Sequence, residues 1–135
     1  MFTIDNQSRQ PVYEQIISQV ELFILTDILT PGQCLPSVRG ISMQLSVNPN
    51  TVQKAFTNLD RRGIICSLPG RGSFVADNAK ALLAEYKITD LVKLEQTVKE
   101  LKLAGVEKQI IFGLVERVYT RESNEKFKKK EKSGI

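Results

Sequence analysis

The sequence predicts a mainly α-helical chain with one small β-ribbon, and three observations carry that expectation. Apolar residues recur at helical spacing in blocks between residues 11 and 62, divided by Pro31-Gly32 and by Ser46-Val47. Short β-prone runs then flank Leu68-Pro69-Gly70-Arg71-Gly72, a loop rich in turn formers. Beyond Asp77 the helical rhythm returns, with apolar residues three and four apart. Helix, short helix, turn, helix, hairpin is the order of a winged helix-turn-helix. Boundaries of 1–77 for that unit, 78–122 for a helical segment and 123–135 for a basic, disordered tail follow from the same pattern.

Each element has a local reason. Pro11 opens the first helix, since proline is tolerated in the first turn. Val12, Ile16, Ile17, Val20, Phe23, Ile24 and Ile28 form one broad stripe, which Pro31-Gly32 is expected to end. Gln33 to Leu35 suits a small strand. Ser37 is placed to cap a short helix that turns Val38, Ile41 and Leu45 inward. Asn48-Pro49 reads as cap and first helical position of a third helix running to about Arg62, and Gly63 stops it. Ile64-Ile65-Cys66 and Ser73-Phe74-Val75 are the two strands. Ala79, Leu82 and Leu83 begin a helix that continues or breaks near Thr89-Asp90. Leu91, Leu94, Val98 and Leu101 then form a seam, Gly105 marks a turn, and Val106, Ile110, Ile111, Leu114, Val115 and Val118 line a last helix.

Composition excludes several classes of function. The chain has no histidine and two cysteines, Cys34 and Cys66, without metal-ligand spacing. One chain therefore cannot assemble a four-ligand zinc site from nitrogen and sulfur, and no metal or cofactor is expected. Lack of histidine also removes the commonest acid–base group and every Ser-His or Cys-His nucleophile pair. Gly70-Arg71-Gly72 lacks the flanking residues of a nucleotide-binding loop. Enzymatic activity is not expected. No apolar run approaches the ~20 residues that span a bilayer, and the polar start through Arg9 does not read as a signal peptide, so a cytoplasmic protein with no membrane partner is expected.

Charge is informative through its distribution. The net charge is +4, yet residues 1–77 carry six basic and six acidic side chains. Within 37–72, however, Arg39, Lys54, Arg61, Arg62 and Arg71 face a single acid, Asp60. A neutral domain with one basic face would show this segregation, and such a face attracts an anionic partner.

Wound as a helix, the segment after Pro49 puts Val52, Ala55, Phe56 and Leu59 on one face. Asn50, Gln53, Lys54 and Thr57 fall on the other, at i, i+3, i+4 and i+7. Asn and Gln can bond adenine bidentately, while Lys suits guanine or phosphate. Backbone amides near Asn50 and Thr51, at the helix start, suit a phosphate. A polar face that merely keeps a helix solvated is the alternative, and the preceding short helix and following Gly-Arg-Gly loop weigh against it. Arg71, between two glycines at a hairpin tip, can enter a narrow minor groove, or be a solvated arginine in a turn. Arg39 sits in a first helical turn, where a cation opposes the helix dipole. Contact with DNA and an ion pair with Asp60 or a first-helix acid both account for it. Ser37 is a cap first and a phosphate contact second.

Taken together, Pro11-Val12-Tyr13-Glu14-Gln15-Ile16, Pro31-Gly32, Leu35-Pro36-Ser37-Val38-Arg39, Val47-Asn48-Pro49-Asn50-Thr51-Val52, Lys54-Ala55-Phe56, Leu59, Gly63 and Gly70-Arg71-Gly72-Ser73-Phe74-Val75 resemble the DNA-binding domain of the GntR family of bacterial regulators. The resemblance spans about residues 8–76. It implies that Arg39, the start of the third helix (Asn48, Pro49, Asn50, Thr51, with Gln53) and the wing (Gly70, Arg71, Gly72) contact DNA. Arg39-Gly40-Ile41-Ser42 departs from the family's frequent Arg-Glu-Leu-Ala. Losing the glutamate removes a capping-box partner for Ser37, and a helical glycine costs ~1 kcal/mol relative to alanine. Members of the family are sorted by their C-terminal domains. The remaining sixty or so residues are too few for its larger ligand-binding or aminotransferase-like domains, so the chain is similar to the YtrA-type subgroup, whose short helical tail serves dimerisation.

Apolar stripes at 91–101 and 106–118 are too broad to satisfy each other within one hairpin, so burial against a second chain is expected. Leu91, Leu94, Val98, Leu101, Ile110, Ile111, Leu114, Val115 and Val118 are the expected dimer contacts. Packing back on the winged helix is the monomeric alternative. A two-fold dimer presents paired recognition helices ~34 Å apart to an inverted repeat. The expected function is a homodimeric, sequence-specific repressor of double-stranded DNA operators. A winged-helix adaptor that binds proteins is the competing reading. No residue marks a small-molecule effector pocket.

Overall fold

The computed structural model describes the backbone of residues 1–133 and the side chains of residues 1–121. It divides into two compact units, Met1–Ile88 and Thr89–Ile135. In the first, four helices and a β-ribbon surround one core that includes Ile16, Val20, Ile41, Val52, Phe56, Leu59, Ile65 and Leu83.

Helix α1 (Val12–Leu25) starts where expected, with Pro11 accepting the Gln15 N–H at 3.1 Å. Its end differs from the sequence expectation. The stripe does not continue to Ile28 and the stop at Pro31-Gly32, because the chain reverses at Asp27, which takes φ 61°. The Ile28 and Leu29 N–H groups both donate to the Phe23 carbonyl, at 2.8 and 2.9 Å. This reversal buries Leu29 and leaves Ile28 51% exposed. Aspartate tolerates the left-handed conformation better than most residues, and burying a leucine offsets the strain.

The N-terminal arm was invisible to periodicity. Phe2 is buried with its ring edge-on to Phe23, centroids 5.4 Å apart. Two glutamines of α1 then act as substitute backbone. Gln15 accepts from the Asp5 N–H at 2.8 Å and donates to the carbonyls of Asp5 and Gln10 at 3.1 and 2.9 Å. Gln19 accepts from the Thr3 N–H at 2.9 Å and donates to the Thr3 carbonyl.

Helix α2 (Val38–Leu45) is capped by Ser37, whose Oγ accepts the Gly40 N–H at 2.9 Å. A Cβ at position 40 would lie 3.1 Å from that Oγ, so glycine leaves the cap hydroxyl its room. Ser46 at φ 55° makes the tight turn, and Ser42 Oγ donates to the Val47 carbonyl at 2.7 Å to close it. Serine at position 42 thus does what alanine could not. Helix α3 (Pro49–Arg61) buries Val52, Ala55, Phe56 and Leu59 against α1 and α2. Gly63, at φ 77°, ends it.

Strands β1 (Ile65–Leu68) and β2 (Gly72–Val75) pair antiparallel, with Ile65 opposite Val75 and Leu68 opposite Gly72. They are longer than the runs read from sequence, so the tip shrinks to Pro69, Gly70 and Arg71. Arg71 N–H donates to the Leu68 carbonyl at 2.9 Å, and Gly70 takes φ 76°, the pattern of a type II turn with proline then glycine. Residues 33–35, expected as a small strand, form only an isolated bridge, between Cys34 and Phe74 of β2.

Helix α4 (Ala79–Ile88) belongs to the first compact unit, eleven residues past the expected boundary at Asp77. Ala79 and Leu83 are fully buried in the core, and Lys80 pairs with Asp27 at 3.1 Å. The second unit holds α5 (Asp90–Leu103) and α6 (Lys108–Ser133), broken at Thr89 and turned at Gly105, φ 85°. No residue of α5 is buried. Val98, Leu101 and Ile111 are half-buried, whereas Leu91, Leu94, Ile110, Leu114, Val115 and Val118 are all at least 45% exposed. The side chains of the whole expected basic tail, 123–135, lie outside those described, and its backbone through residue 133 continues α6. None of the helices among the described residues is long and apolar enough to cross a membrane.

Candidate nucleic-acid interface

The two faces of α3 separate as the sequence predicts. While Val52, Ala55, Phe56 and Leu59 are buried, Asn50, Gln53, Lys54 and Thr57 are exposed. Gln53 Nε2 donates to Thr57 Oγ1 at 3.3 Å, which orders two polar groups one turn apart. Gln53 also stands between two recesses. One lies toward α1 and includes Tyr13, Asn50, Lys54, Asn58 and Arg61. The other lies toward the ribbon and includes Val38, Phe56, Ser67 and Arg71. Recognition-helix amides and the wing arginine therefore share one surface, although Gln53 and Arg71 are eighteen positions apart in the chain.

Wing geometry follows from its glycines. Gly70 and Gly72 take φ 76° and 113°, where a side chain would be strained. Arg71 between them is exposed. Ser67 and Ser73 face each other across the ribbon, their Oγ atoms 3.1 Å apart.

At the start of α3, Asn48 is a cap, as read from sequence. Its Oδ1 accepts the Asn50 N–H at 2.8 Å, and its carbonyl accepts the Thr51 N–H at 2.9 Å. The backbone amides expected to be available to a phosphate are thus already bonded within the turn. The Asn48, Asn50 and Pro49 side-chain surfaces stay exposed, and that of Thr51 is half-buried. Ser37 is likewise engaged as a cap. Arg39 is exposed, and among the described residues no ion pair joins it to Asp60 or to an α1 acid.

Two of the five bases counted in 37–72 behave differently from the rest. Arg62 turns inward. Its guanidinium pairs with Glu21 at 3.2 Å, donates to Asn58 Oδ1 at 3.3 Å and lies 4.6 Å from the centroid of the Tyr86 ring. It joins α1, α3 and α4 and is not part of the outer face. Lys54 bends toward α1, its Nζ 3.9 Å from the centroid of the Tyr13 ring. The Tyr13 hydroxyl donates to Glu14 Oε1 at 3.2 Å, and that hydrogen bond, with the carboxylate's charge, raises the phenol above its usual pKa.

Sequence reasoning counted Arg61 among the bases of 37–72 and Tyr13 within the first-helix motif, but gave neither a place in the site. Tyr13 carried no signal, because its role depends on a contact forty-one positions away. Arg61 did carry one: Asn50, Lys54, Thr57 and Arg61 are spaced i, i+4, i+7 and i+11 along one stripe. Residues expected at the dimer seam lie in the second unit, and six of the nine are exposed. No cluster of potential metal ligands occurs among the described residues.

Comparison with known proteins adds the following. A family model described as bacterial regulatory proteins, gntR family, matches residues 12–75. The HTH-type transcriptional repressor YtrA of Bacillus subtilis (strain 168) is 45% identical over 108 residues, which is 79% of this chain and 83% of YtrA. A GntR family transcriptional regulator from Listeria monocytogenes superposes with a TM-score of 0.70 at 28% identity, over 84% of this chain and 98% of that one. AraR(DBD), solved in complex with operator ORX1, superposes with a TM-score of 0.52 at 26% identity, over 56% of this chain and 96% of that one.

Proposed function

The chain belongs to the GntR family of bacterial regulatory proteins, and from that premise we propose that it is a homodimeric transcriptional repressor that binds an inverted-repeat DNA operator. Its relatives are transcriptional regulators rather than enzymes. The observation that carries the reading is the shared surface of α3 and the wing, where Asn50, Gln53, Thr57 and Arg71 are exposed together over a packed apolar face. In this reading Asn50 and Gln53 meet base edges in a major groove. Arg71 enters the adjoining minor groove from the wing tip. Arg39, Ser37, Thr51 and Lys54 hold the sugar-phosphate backbone, Asn48 and Pro49 set the helix entry, and Gly70 and Gly72 let the tip approach closely. Binding of AraR(DBD) to an operator supports the assignment by homology.

Dimerisation is supported by the second unit. A helix with no buried residue beside exposed Leu91, Leu94, Ile110, Leu114 and Val118 leaves a large apolar surface in water, and a second copy would cover it. Two-fold pairing then matches the symmetry of an inverted repeat with half-sites ~34 Å apart. Repression follows in this reading from occlusion of the promoter, and the Bacillus subtilis relative is named a transcriptional repressor.

Gel shift of the purified chain on the region upstream of its own gene, with excess random competitor, tests the proposal. A discrete complex that footprints as an inverted repeat is the expected result. Absence of any sequence preference over a range of salt would refute it and favour a winged helix that docks on proteins.

A further inference from the structure

Lys54 is not a free lysine. Its ammonium rests on the ring of Tyr13, 3.9 Å from the centroid, while Gln53 beside it bonds to Thr57. The Tyr13 hydroxyl donates to the Glu14 carboxylate, which pushes electron density into the ring and strengthens its attraction for a cation. An ammonium has three donors, and a ring face satisfies one side of it, so the others remain directed outward.

We infer that Tyr13 is a positioning residue of the DNA-binding face, holding the Lys54 ammonium on the α1 side of α3 so that it meets a backbone phosphate rather than a base edge. The inference rests on the proposed DNA-binding function and assigns a division of labour within it. Two observations support the phosphate over the base. The ring draws Lys54 toward α1, whereas Gln53 stays between the α1 and wing recesses. Arg61 shares the α1-side recess with Lys54, and two cations along one stripe suit the anionic backbone, which carries no sequence information. A lysine held before binding loses less rotamer freedom when it meets its phosphate. Tyr13 therefore contributes to affinity for every DNA sequence alike and acts only through Lys54.

The test uses the full chain and the variants Tyr13→Leu, Tyr13→Phe, Lys54→Met and the double variant Tyr13→Leu/Lys54→Met. Each is titrated against its own upstream duplex and a random duplex of equal length, across salt. Tyr13→Leu should weaken both duplexes by the same factor, about two- to fivefold, and Tyr13→Phe should weaken them less. Lys54→Met should reduce the salt slope by about 0.9 per chain, and adding Tyr13→Leu to it should change nothing further. In the free protein, Lys54 side-chain methylene protons should be shifted upfield by the ring current and return to ordinary values in Tyr13→Leu. Additive losses, a loss confined to the upstream duplex, or an unshifted Lys54 would overturn the inference, provided thermal melting shows the variants folded. A wild-type chain that binds neither duplex would instead sink the DNA reading itself. That outcome is distinct from a wild type that binds its upstream duplex no better than Tyr13→Leu does.

Discussion

Replacing Arg62 with methionine should destabilise the first unit by about 2–3.5 kcal/mol while leaving the outer face of α3 intact. The magnitude comes from three contacts. The ion pair with Glu21 spans 3.2 Å between side chains only 21% and 13% exposed. A solvated pair contributes ~0–1 kcal/mol and breaking a buried one costs ~3–5 kcal/mol, so this pair falls between, at about 1–2 kcal/mol. The hydrogen bond to Asn58 at 3.3 Å adds roughly 0.5 kcal/mol at that length, and the stacking over Tyr86 about 0.5–1 kcal/mol. Methionine keeps much of the apolar stem, so the packing loss is small. For a unit of this size each kcal/mol moves the melting temperature by ~4–8 °C, which predicts a fall of about 8–28 °C. Circular dichroism melts and calorimetry would measure it, and a double-mutant cycle with Glu21→Gln would isolate the pair. Below its melting point the variant should bind the upstream duplex like wild type. Weakened DNA binding with an unchanged melting temperature would refute the reasoning, since it would place this guanidinium on the DNA face.

Three further outcomes are expected. Arg71→Ala and Gln53→Ala should each weaken operator binding by ~1–3 kcal/mol without shifting the thermal melt; two variants that bind like wild type would show that the site lies elsewhere. Leu83→Ala should cost ~2–5 kcal/mol, because its side chain is fully buried against the winged helix. A melt unchanged by that substitution would mean α4 is not part of the first unit. Leu94→Asp and Leu114→Asp, at exposed positions of the second unit, should each shift sedimentation toward monomer and reduce operator affinity; dimers that persist in both would put the seam on another surface.

Much of the candidate site was legible because its signals are local. Asn48-Pro49 places a helix start, the spacing of Val52, Ala55, Phe56 and Leu59 defines its apolar face, and the opposite face follows by geometry alone. Gly70 and Gly72 mark the wing tip in the same way, through φ values that other residues resist. Where local rules compete, sequence reasoning erred. The α1 stripe continued to Ile28 on paper, yet the chain reverses at Asp27 so that Leu29 reaches the core. Amides at the start of α3 looked available, but the cap that starts the helix uses them.

The order of elements, most of their caps and the apolar face of each helix are encoded locally, since these depend on residues within about one turn of each other. Which partner each side chain takes is settled by packing between elements far apart in the chain. Arg62 finds Glu21 forty-one positions away, Lys80 finds Asp27 at fifty-three, and Phe2 finds Phe23 across the length of α1. Those choices turn one arginine of a basic stretch into an internal brace and draw one lysine onto a tyrosine ring. They also bring α4 into the first core. Periodicity reports how a helix is amphipathic; it carries no record of which surface that helix meets, because that is set by packing the whole unit at once.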